Sequence, residues 1–413
     1  MYNRSNSWTQ SPGRSNNRRG FGQRRSVPSR GRFQSGRGRG GKGAFSMSTD
    51  DISIFINKAV AEIKTEEHII EHSFADFALH PDLARAVRFR GYTTPTPIQD
   101  KIISHVLKGT DVVGLANTGT GKTGAFLIPL IHNVLQNPEK QVLIIAPTRE
   151  LAVQIEREFD SLIKRIRLYA VVCVGGANMG AQIRKLRQHS HFIIGTPGRL
   201  MDLMKQGALN LEQVGTIVLD EADRMLDMGF IDDVRFIMSK MPRVRHTLCF
   251  SATMSRNISN LINDFLINPV TISVKTGETA ANVEQEVVRV RGRNKMDVLY
   301  DLLKTEECSK VLVFGKTKYG VQNICDALYR RGIKADAIHG DKSHGQRQRA
   351  LRNFKENKVQ TLVATDVASR GLDISNITHV INFDIPATYD DYVHRIGRTG
   401  RGTKKGKALT FIE

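Results

Sequence analysis

Short apolar runs alternate with longer, helix-like segments from about residue 72 to the end of the chain. Continuous apolar runs between helical segments are typical of strands in parallel sheets that helices cover on both faces. We therefore predict an α/β fold with two domains, residues 72–274 and 283–413, joined by a polar linker at 275–282. The predicted strands are 112–115, 141–146, 169–174, 191–195, 216–220 and 246–250, then 284–290, 311–314, 361–365, 379–383 and 407–412.

The first 46 residues lack this alternation. They are rich in Arg, Gly, Ser and Asn, and a stretch such as Gly36–Gly41 cannot bury enough apolar surface to fold, which predicts a disordered tail. Residues 47–71 are predicted to hold a short helix and a linker. Thr49 or Asp50 can cap this helix, and its apolar residues share one face as far as residue 64, which suits packing on the core or binding a partner.

The charge of the chain adds a partner to this picture. The net charge is +20, which favours a polyanion, either nucleic acid or an anionic membrane surface. The tail holds eleven of the 61 basic residues and no acidic residue, with aromatic residues interleaved. Since arginine attracts phosphates and aromatic rings stack on bases, the tail is predicted to be an RNA tether, with a solubilising tail or an organelle transit peptide as the alternatives.

Cysteine spacing and hydropathy argue against several classes of protein. The four cysteines form no C-x-x-C pair, which argues against a zinc site or a redox motif. Cys173 and Cys249 lie in predicted strands and are expected to be core residues. No apolar run approaches the roughly 18 residues of a membrane span, and no secretory signal is recognisable. We expect a protein of the cytoplasm, with no membrane partner.

A candidate phosphate site follows the predicted strand 112–115. Its glycine-rich loop leads into a helix-like segment from Gly124, the strand–loop–helix context that a P-loop requires. Lys122 is expected to reach the β- and γ-phosphates and the Thr123 hydroxyl to bind Mg²⁺. The first position of the motif is Ala116 instead of the usual glycine. The residues predicted to surround the phosphates are Thr118, Gly119, Thr120, Gly121, Lys122 and Thr123.

Two adjacent acids follow the predicted strand that ends near residue 220. Asp220 is positioned to hold Mg²⁺ directly or through water, and Glu221 can orient and deprotonate an attacking water. Two acids after a strand can also cap a helix, but the P-loop upstream favours the catalytic interpretation.

The tetrapeptide Asp220-Glu221-Ala222-Asp223 is the signature of a known family. The chain resembles DEAD-box RNA helicases over about residues 72–413, with many motifs in the same order and spacing. The resemblance implies two RecA-like domains and an RNA-dependent ATPase that couples ATP binding and hydrolysis to RNA binding, local duplex unwinding and remodelling of RNA and its protein complexes. ATP is implied by the segment 91–99, which looks like the Q motif: Phe74 would stack on adenine and Gln99 would pair with its edge.

Further motifs of the family imply RNA contacts and coupling in the first domain. The segments that resemble motif Ia, the GG element and motif Ib would contact the sugar-phosphate backbone without reading sequence. Their residues are Pro147, Thr148, Arg149, Gly175, Gly176, Thr196, Pro197, Gly198 and Arg199. Ser251 and Thr253, in a segment similar to motif III, would link hydrolysis to RNA handling.

The second domain carries the remaining motifs. Phe314 with Thr317 resembles motif IV, and the matches to motifs IVa, V and VI imply RNA contacts at Gly340 and Thr365, a nucleotide contact at Asp373, coupling at His394 and arginine fingers at Arg398 and Arg401. His344 stands where the family usually has a glutamine in Q-x-x-R, with Arg347 in place, and the chain stops at Glu413, where family members usually continue.

Three alternatives stay open at this point. A DNA helicase or translocase could use the same P-loop and arginine fingers. An ATP-gated RNA clamp or annealing factor could rely mostly on the tail, and a degenerate pseudoenzyme could keep the fold without turnover. The resemblance favours single-stranded RNA and short duplexes as partners, together with ribonucleoprotein or ribosome-assembly partners, and a monomer.

Overall fold

The computed structural model describes residues 69–117, 119–274, 282–369, 374, 376–400 and 404–412, without the side chains of residues 344, 367, 369 and 390. The predicted tail, the helix at 49–64 and all but the last residue of the predicted linker lie outside these residues. Within them, no helix is both long and apolar enough to cross a membrane.

The first domain is a parallel seven-stranded sheet with the strand order β3-β4-β2-β5-β6-β1-β7. Its strands are β1 Val112–Ala116, β2 Gln141–Ile145, β3 Ala170–Cys173, β4 Phe192–Gly195, β5 Val214–Leu219, β6 His246–Ser251 and β7 Val270–Val274. Its helices are α1 Pro81–Phe89, α2 Pro97–Leu107, α3 Lys122–Gln136, α4 Arg149–Leu162, α5 Met179–Leu186, α6 Pro197–Lys205, α7 Ala222–Asp227, α8 Ile231–Ser239 and α9 Arg256–Phe265.

The second domain is a parallel six-stranded sheet with the order β10-β11-β9-β12-β13-β8. Its strands are β8 Val283–Arg289, β9 Val311–Phe314, β10 Ala335–Ile338, β11 Thr361–Ala364, β12 His379–Asn382 and β13 Gly406–Ile412. Its helices are α10 Lys295–Leu303, α11 Lys318–Arg330, α12 His344–Lys355, α13 Asp366–Ser369 and α14 Tyr389–Ile396.

Both faces of the first sheet are covered, because alternate residues of its strands enter two separate apolar clusters. One cluster contains Ile144 and Val218 with Phe126 of α3, and the other contains Leu143 and Ile217. Cys173 and Cys249 are buried in strands, as predicted. The predicted α/β fold with two parallel sheets is therefore confirmed. The phosphate loop, the acidic tetrapeptide and the segments resembling motifs Ia and Ib follow the carboxyl ends of β1, β5, β2 and β4, where open α/β sheets bind ligands.

Two strands were missing from the sequence prediction, and both lie at the edge of a sheet. The edge strand β7 exposes Thr271 and Ser273 and buries the residues between and after them. The edge strand β10 includes the half-buried Asp336. Because an edge strand needs less apolar surface than a central one, neither segment forms the continuous apolar run by which the other strands were recognised.

Candidate nucleotide and RNA site

The glycine-rich loop between β1 and α3 leaves the start of α3 open. Gly119 and Gly121 have φ angles of +90° and +95°, which other residues rarely adopt. Gly121 directly precedes the helix and has no side chain with which to cap it. The first backbone N–H groups of the helix and its partial positive charge therefore suit a phosphate ligand.

Lys122, the first residue of α3, is buried at the base of this loop. Its Nζ donates a hydrogen bond of 2.8 Å to the carbonyl oxygen of Ala116, at the end of β1. Thr120 tightens the same loop, because its hydroxyl donates to the carbonyl oxygen of Asn117 at 2.9 Å. Thr123 follows Lys122 in the helix, whereas Thr118 lies outside the described residues. The lysine thus lies on the loop that it was predicted to serve.

Gln99 binds the phosphate loop to the start of α2. Its Oε1 accepts a hydrogen bond from the backbone N–H of Thr96 at 3.0 Å, and its Nε2 donates to the carbonyl oxygen of Gly121 at 3.1 Å. Phe74 is buried, with its ring edge-on to Tyr92 at a centroid distance of 5.6 Å. Of the two residues predicted to bind adenine, Gln99 therefore contacts the phosphate loop, and Phe74 contacts Tyr92 of the Q motif.

Asp220 lies buried at the end of β5, and its Oδ1 finds no hydrogen-bond partner among the described residues. Burial raises the pKa of this carboxyl to about 6, while the positive charge of Lys122 opposes that rise. A buried carboxylate oxygen without a partner is costly, and a divalent cation would satisfy it. Asp220 therefore fits the Mg²⁺ ligand that the sequence predicts.

Glu221 stands next to Asp220 in an uncommon backbone conformation. Its φ angle is +55°, in the left-handed region, and it occupies the position before α7 without capping that helix. Its carboxylate instead forms an ion pair with Arg224, one turn along the chain. Non-glycine residues with a positive φ are often found at functional sites. The sequence prediction had assigned no role to Arg224.

Asp223 connects the acidic loop to the segment after β6. Its Oδ2 accepts hydrogen bonds from the backbone N–H groups of Ala252 at 2.9 Å and Thr253 at 3.1 Å. The hydroxyl of Ser251 donates to the carbonyl oxygen of Thr253 at 2.7 Å, which fixes the turn. Burial raises the pKa of Asp223, but the charges of Lys122, His394 and Arg224 and the hydrogen bond from the N–H of Ala252 together outweigh burial, so this pKa lies below its ordinary value. His394 of α14 is thus within electrostatic reach of a first-domain acid.

The predicted RNA residues of the first domain lie after β2, β3 and β4. Thr148 caps α4 by accepting a hydrogen bond from the N–H of Leu151 at 3.3 Å. The Arg149 guanidinium covers the glycine pair, since a Cβ atom on Gly175 would lie 2.8 Å from its Nη2 and one on Gly176 would also collide with it. Glycine at these positions therefore lets the arginine lie against the backbone.

The third RNA segment begins α6. Thr196 precedes that helix, Pro197 is its first residue, and a Cβ atom on Gly198 would meet nothing within 4 Å. Arg199 donates from Nη1 to the carbonyl oxygen of Ala177 at 3.2 Å and to Oε1 of Gln182 at 3.0 Å. The second and third RNA segments are therefore bonded to each other, and the strand order places all three at neighbouring strand ends.

A buried polar cluster in the second domain centres on Arg395, which the sequence prediction had not singled out. Arg395 donates to both carboxylate oxygens of Asp366, at 2.6 and 2.7 Å, and to Oδ1 of Asn382 at 3.2 Å. Its neighbour Arg398 is also buried. A buried arginine with a bidentate carboxylate holds the end of α14 against the strand ends. The only signal in the sequence was its place in the segment resembling motif VI.

The remaining second-domain predictions fall into two groups. Gly340 follows β10 and Thr365 follows β11, next to each other at the carboxyl edge of the sheet. Asp373 and Arg401 lie outside the described residues, and so does the side chain of His344.

One ion pair joins the two domains directly. Arg347 of α12 donates from Nη2 to Oε2 of Glu150 in α4 at 2.5 Å, and the two side chains are 15% and 3% exposed. Arg149 lies close to this pair. Its burial, and after that the positive charge of Arg347, lowers the pKa of its guanidinium. Glu150 lies within the segment resembling motif Ia, but its charge gave no indication of a partner 197 residues away.

A cavity of about 410 Å³ opens beside the phosphate loop. Its lining includes Lys122, Thr123, Asp220 and Glu221 from the first domain and Gln348 of α12 from the second. The open glycine-rich loop holds a buried lysine and faces a pair of acids, and the fold has two parallel-sheet domains. This combination defines a P-loop NTPase whose cleft is bordered by both domains.

The comparisons with known proteins specify the family. A family model described as DEAD/DEAH box helicase matches residues 96–261, and one described as helicase conserved C-terminal domain matches residues 294–403. The DEAD-box ATP-dependent RNA helicase CshA of Bacillus licheniformis is 46% identical over 342 residues, which cover 82% of this chain and 70% of that protein. This chain therefore belongs to the DEAD-box family of ATP-dependent RNA helicases.

Two solved structures add information on the arrangement of the domains. Dbp5 of S. cerevisiae bound to RNA and ADP BeF3 matches with a TM-score of 0.74 at 27% identity, covering 83% of this chain and 90% of that one. A DEAD box protein from Methanococcus jannaschii matches with a TM-score of 0.50 at 40% identity, covering 83% and 94%. The RNA-bound structure superposes better despite its lower identity. Two tandem RecA-like domains are thus confirmed.

Proposed function

We propose that this chain hydrolyses ATP in a site divided between its two domains, and that RNA bound across both domains favours their closure. The observation that carries this proposal is the convergence of Lys122, Asp220 and Glu221 at the phosphate loop, with His394 of the second domain in electrostatic reach of Asp223. Neither domain holds all the predicted groups, so turnover requires both.

The first domain binds the nucleotide. The start of α3 and Lys122 bind the phosphates, while Gln99 and Phe74 recognise adenine. To pair with adenine, Gln99 either releases its hydrogen bond to Gly121 or uses a hydrogen-bonding position that this bond leaves open. Thr123 and Asp220 hold Mg²⁺, which when bound supplies positive charge next to the β- and γ-phosphates. The partnerless Oδ1 of Asp220 supports this assignment. Lys122 leaves the carbonyl oxygen of Ala116 for the phosphates.

Glu221 acts as the general base. Its carboxylate accepts a proton from the water that attacks the γ-phosphate, a role that contributes about 10²–10⁴-fold in enzymes of known mechanism. Arg398 and Arg401 stabilise the charge that develops on the transferring phosphoryl group, and Asp373 contacts the nucleotide from the second domain. Arginine fingers act in this way in other phosphoryl-transfer enzymes.

RNA lies across the carboxyl edges of both sheets. Arg149, Arg199 and the backbone around Gly175 contact one part of the strand, and Gly340 and Thr365 contact the next. Such groups bind phosphates and sugars, so binding has little sequence specificity. Closure bends the strand and opens a short duplex locally. Because RNA and ATP both prefer the closed state, each must strengthen the binding of the other.

Coupling runs through the segment after β6. Asp223 binds the backbone of Ala252 and Thr253, while Ser251 holds the same turn. When His394 approaches Asp223 on closure, this turn is linked through Asp223 both to the acids of the nucleotide site and to the second domain. We also propose that the Arg/Gly-rich tail tethers RNA, and that the chain works as a monomer in the cytoplasm on ribonucleoprotein substrates.

The test is ATP hydrolysis with and without single-stranded RNA, at a stated salt concentration because the tail contact depends on salt. We expect RNA to raise turnover, Glu221→Gln to be silent, and Arg398→Ala to lose turnover while still binding ATP. Loss of ATP binding together with turnover in Arg398→Ala would contradict the divided site. Single-stranded DNA of the same sequence serves as the control, and equal stimulation by DNA would favour a DNA translocase.

A further inference from the structure

Arg224, the residue after the acidic tetrapeptide, is buried at the catalytic acids. Its Nη1 pairs with Oε2 of Glu221, and the two side chains are 5% and 6% exposed. Arg224 is the third residue of α7, so the pair spans one helical turn. The lining of the 410 Å³ cavity includes Glu221 but not Arg224 among the described residues. The arginine therefore reaches the carboxylate from behind the nucleotide site.

The charges around Arg224 indicate what it does there. Asp220, Glu221 and Asp223 place three carboxylates within four residues. The first-domain cations close to them are Lys122 and Arg224, and His394 of the second domain lies near Asp223. Lys122 is assigned to the phosphates, so its charge is directed to the nucleotide when ATP is bound. Arg224 then remains as the counter-charge of the acidic loop.

The backbone of Glu221 makes this pairing more significant. Glu221 has a φ angle of +55° and makes no side-chain cap contact to α7, and the ion pair with Arg224 connects its carboxylate to that helix. The ion pair with Arg224 restricts one carboxylate oxygen of Glu221, a residue that also lines the cavity. Small errors in the position of a catalytic group are expensive, since about 1 Å of misplacement can reduce the rate roughly 100-fold.

We propose that Arg224 is a positioning residue, which fixes the carboxylate of Glu221 so that its second oxygen accepts the proton of the attacking water. The inference rests on the proposed role of Glu221 as general base. The competing explanation is purely structural: the pair would only stabilise α7 and the buried loop. A structural pair affects unfolding, whereas a positioning residue affects kcat at unchanged affinity for ATP.

The experiment measures kcat and KM of the RNA-stimulated ATPase, ATP affinity and thermal unfolding in Arg224→Gln and Arg224→Lys. The matched control is Arg235→Gln, which breaks the exposed ion pair of Arg235 with Asp264 in the same domain. We expect Arg224→Gln to lower kcat about 10- to 100-fold with ATP affinity preserved. Arg224→Lys, which keeps the charge, should recover most of the rate, and Arg235→Gln should match the wild type.

Glu221→Gln and the double variant separate this inference from the proposed function. Because Glu221→Gln is itself expected to be silent, the double variant is compared by its affinity for ATP, which Arg224→Gln should leave unchanged in that background as well. A lower unfolding temperature with unchanged kcat in Arg224→Gln, or an increase in its turnover, would overturn the positioning role alone. If Glu221→Gln itself hydrolyses ATP normally, the general base is misassigned and both proposals fail. Should Arg224→Gln not fold, Arg224→Met, which keeps the apolar stem of the side chain without its charge, takes its place with the same expected loss of kcat.

Discussion

The two domains use the same unit, a strand followed by a loop and a helix, but leave the helix start in opposite states. Between β1 and α3 the loop turns through two left-handed glycines, and Gly121 leaves the first N–H groups of α3 without a capping side chain. Between β9 and α11 the loop is short, and Thr317 caps the helix by accepting a hydrogen bond from the N–H of Gly320 at 3.0 Å.

This difference explains why one of two similar sheets binds the phosphates. An uncapped helix start offers N–H groups and partial positive charge to an anion, whereas a side-chain cap already satisfies one of those donors. The lysines differ in the same way: Lys122 is buried on its loop, and Lys316 is exposed on the other. The architecture is shared, and the chemistry of the loop decides the function.

The largest effect that we predict concerns the two lysines, Lys122 and Lys316. Lys122→Ala should lower RNA-stimulated ATP hydrolysis by about 10²–10³-fold, the loss typical of removing one preorganised group that stabilises transition-state charge. Lys316→Ala should leave turnover unchanged, because that side chain is exposed on a capped loop. Steady-state ATPase assays of both variants check this. A comparable loss in Lys316→Ala would mean that the second loop also contacts the nucleotide.

The residues predicted for the first domain's site lie close together in the structure for a physical reason. A glycine-rich loop between an apolar strand and a helix is typical of a phosphate site, and the two acids at the end of β5 add candidates for the metal ligand and the base. All of these residues lie within one domain and close to the strand ends, so order along the chain translates directly into position. The edge strands β7 and β10 were missed because their partly exposed residues carry a weaker apolar pattern.

Contacts between residues distant in the chain could not be predicted from the sequence. Glu150 lies in a segment whose arginine was predicted to bind RNA, and Arg347 in one recognised only by spacing, so nothing in either pattern connected them. The ion pair of Arg224 with Glu221 and the cluster around Arg395 were missed for another reason. An arginine after an acidic motif is usually a solvated charge, and only its burial in the folded chain reveals the partner.

A smaller effect is expected at the ion pair where the two compared domains meet. Arg347→Ala should weaken RNA binding in the presence of a non-hydrolysable ATP analogue by about tenfold, since hydrogen bonds to charged groups contribute about 1.5–3 kcal/mol. RNA binding without nucleotide should change less, because this contact forms between the domains. Fluorescence anisotropy of labelled single-stranded RNA measures both affinities.

The control for this prediction is Arg349→Ala, which removes an exposed arginine from the same helix. It changes the charge equally but leaves the contact with Glu150 intact. Combining Arg347→Ala with Glu150→Gln completes a double-mutant cycle, in which the double variant should lose less than the sum of the single losses. Additive losses, or an equal loss in Arg349→Ala, would mean that general electrostatic attraction to RNA, and not the domain contact, explains the effect.

The smallest effect concerns the cap that distinguishes the second loop. Thr317→Ala should lower the free energy of unfolding of the second domain by about 1 kcal/mol, the usual cost of losing an N-terminal cap. Thr317→Ser keeps the hydroxyl that accepts from the N–H of Gly320 and should unfold like the wild type. ATP affinity should be the same in both variants, because exposing the start of α11 creates no phosphate loop: the glycines and the buried lysine of the first domain are missing there. Urea unfolding and nucleotide titration of the two variants provide the measurements, and a gain of ATP affinity in Thr317→Ala would show that the cap alone separates the two loops.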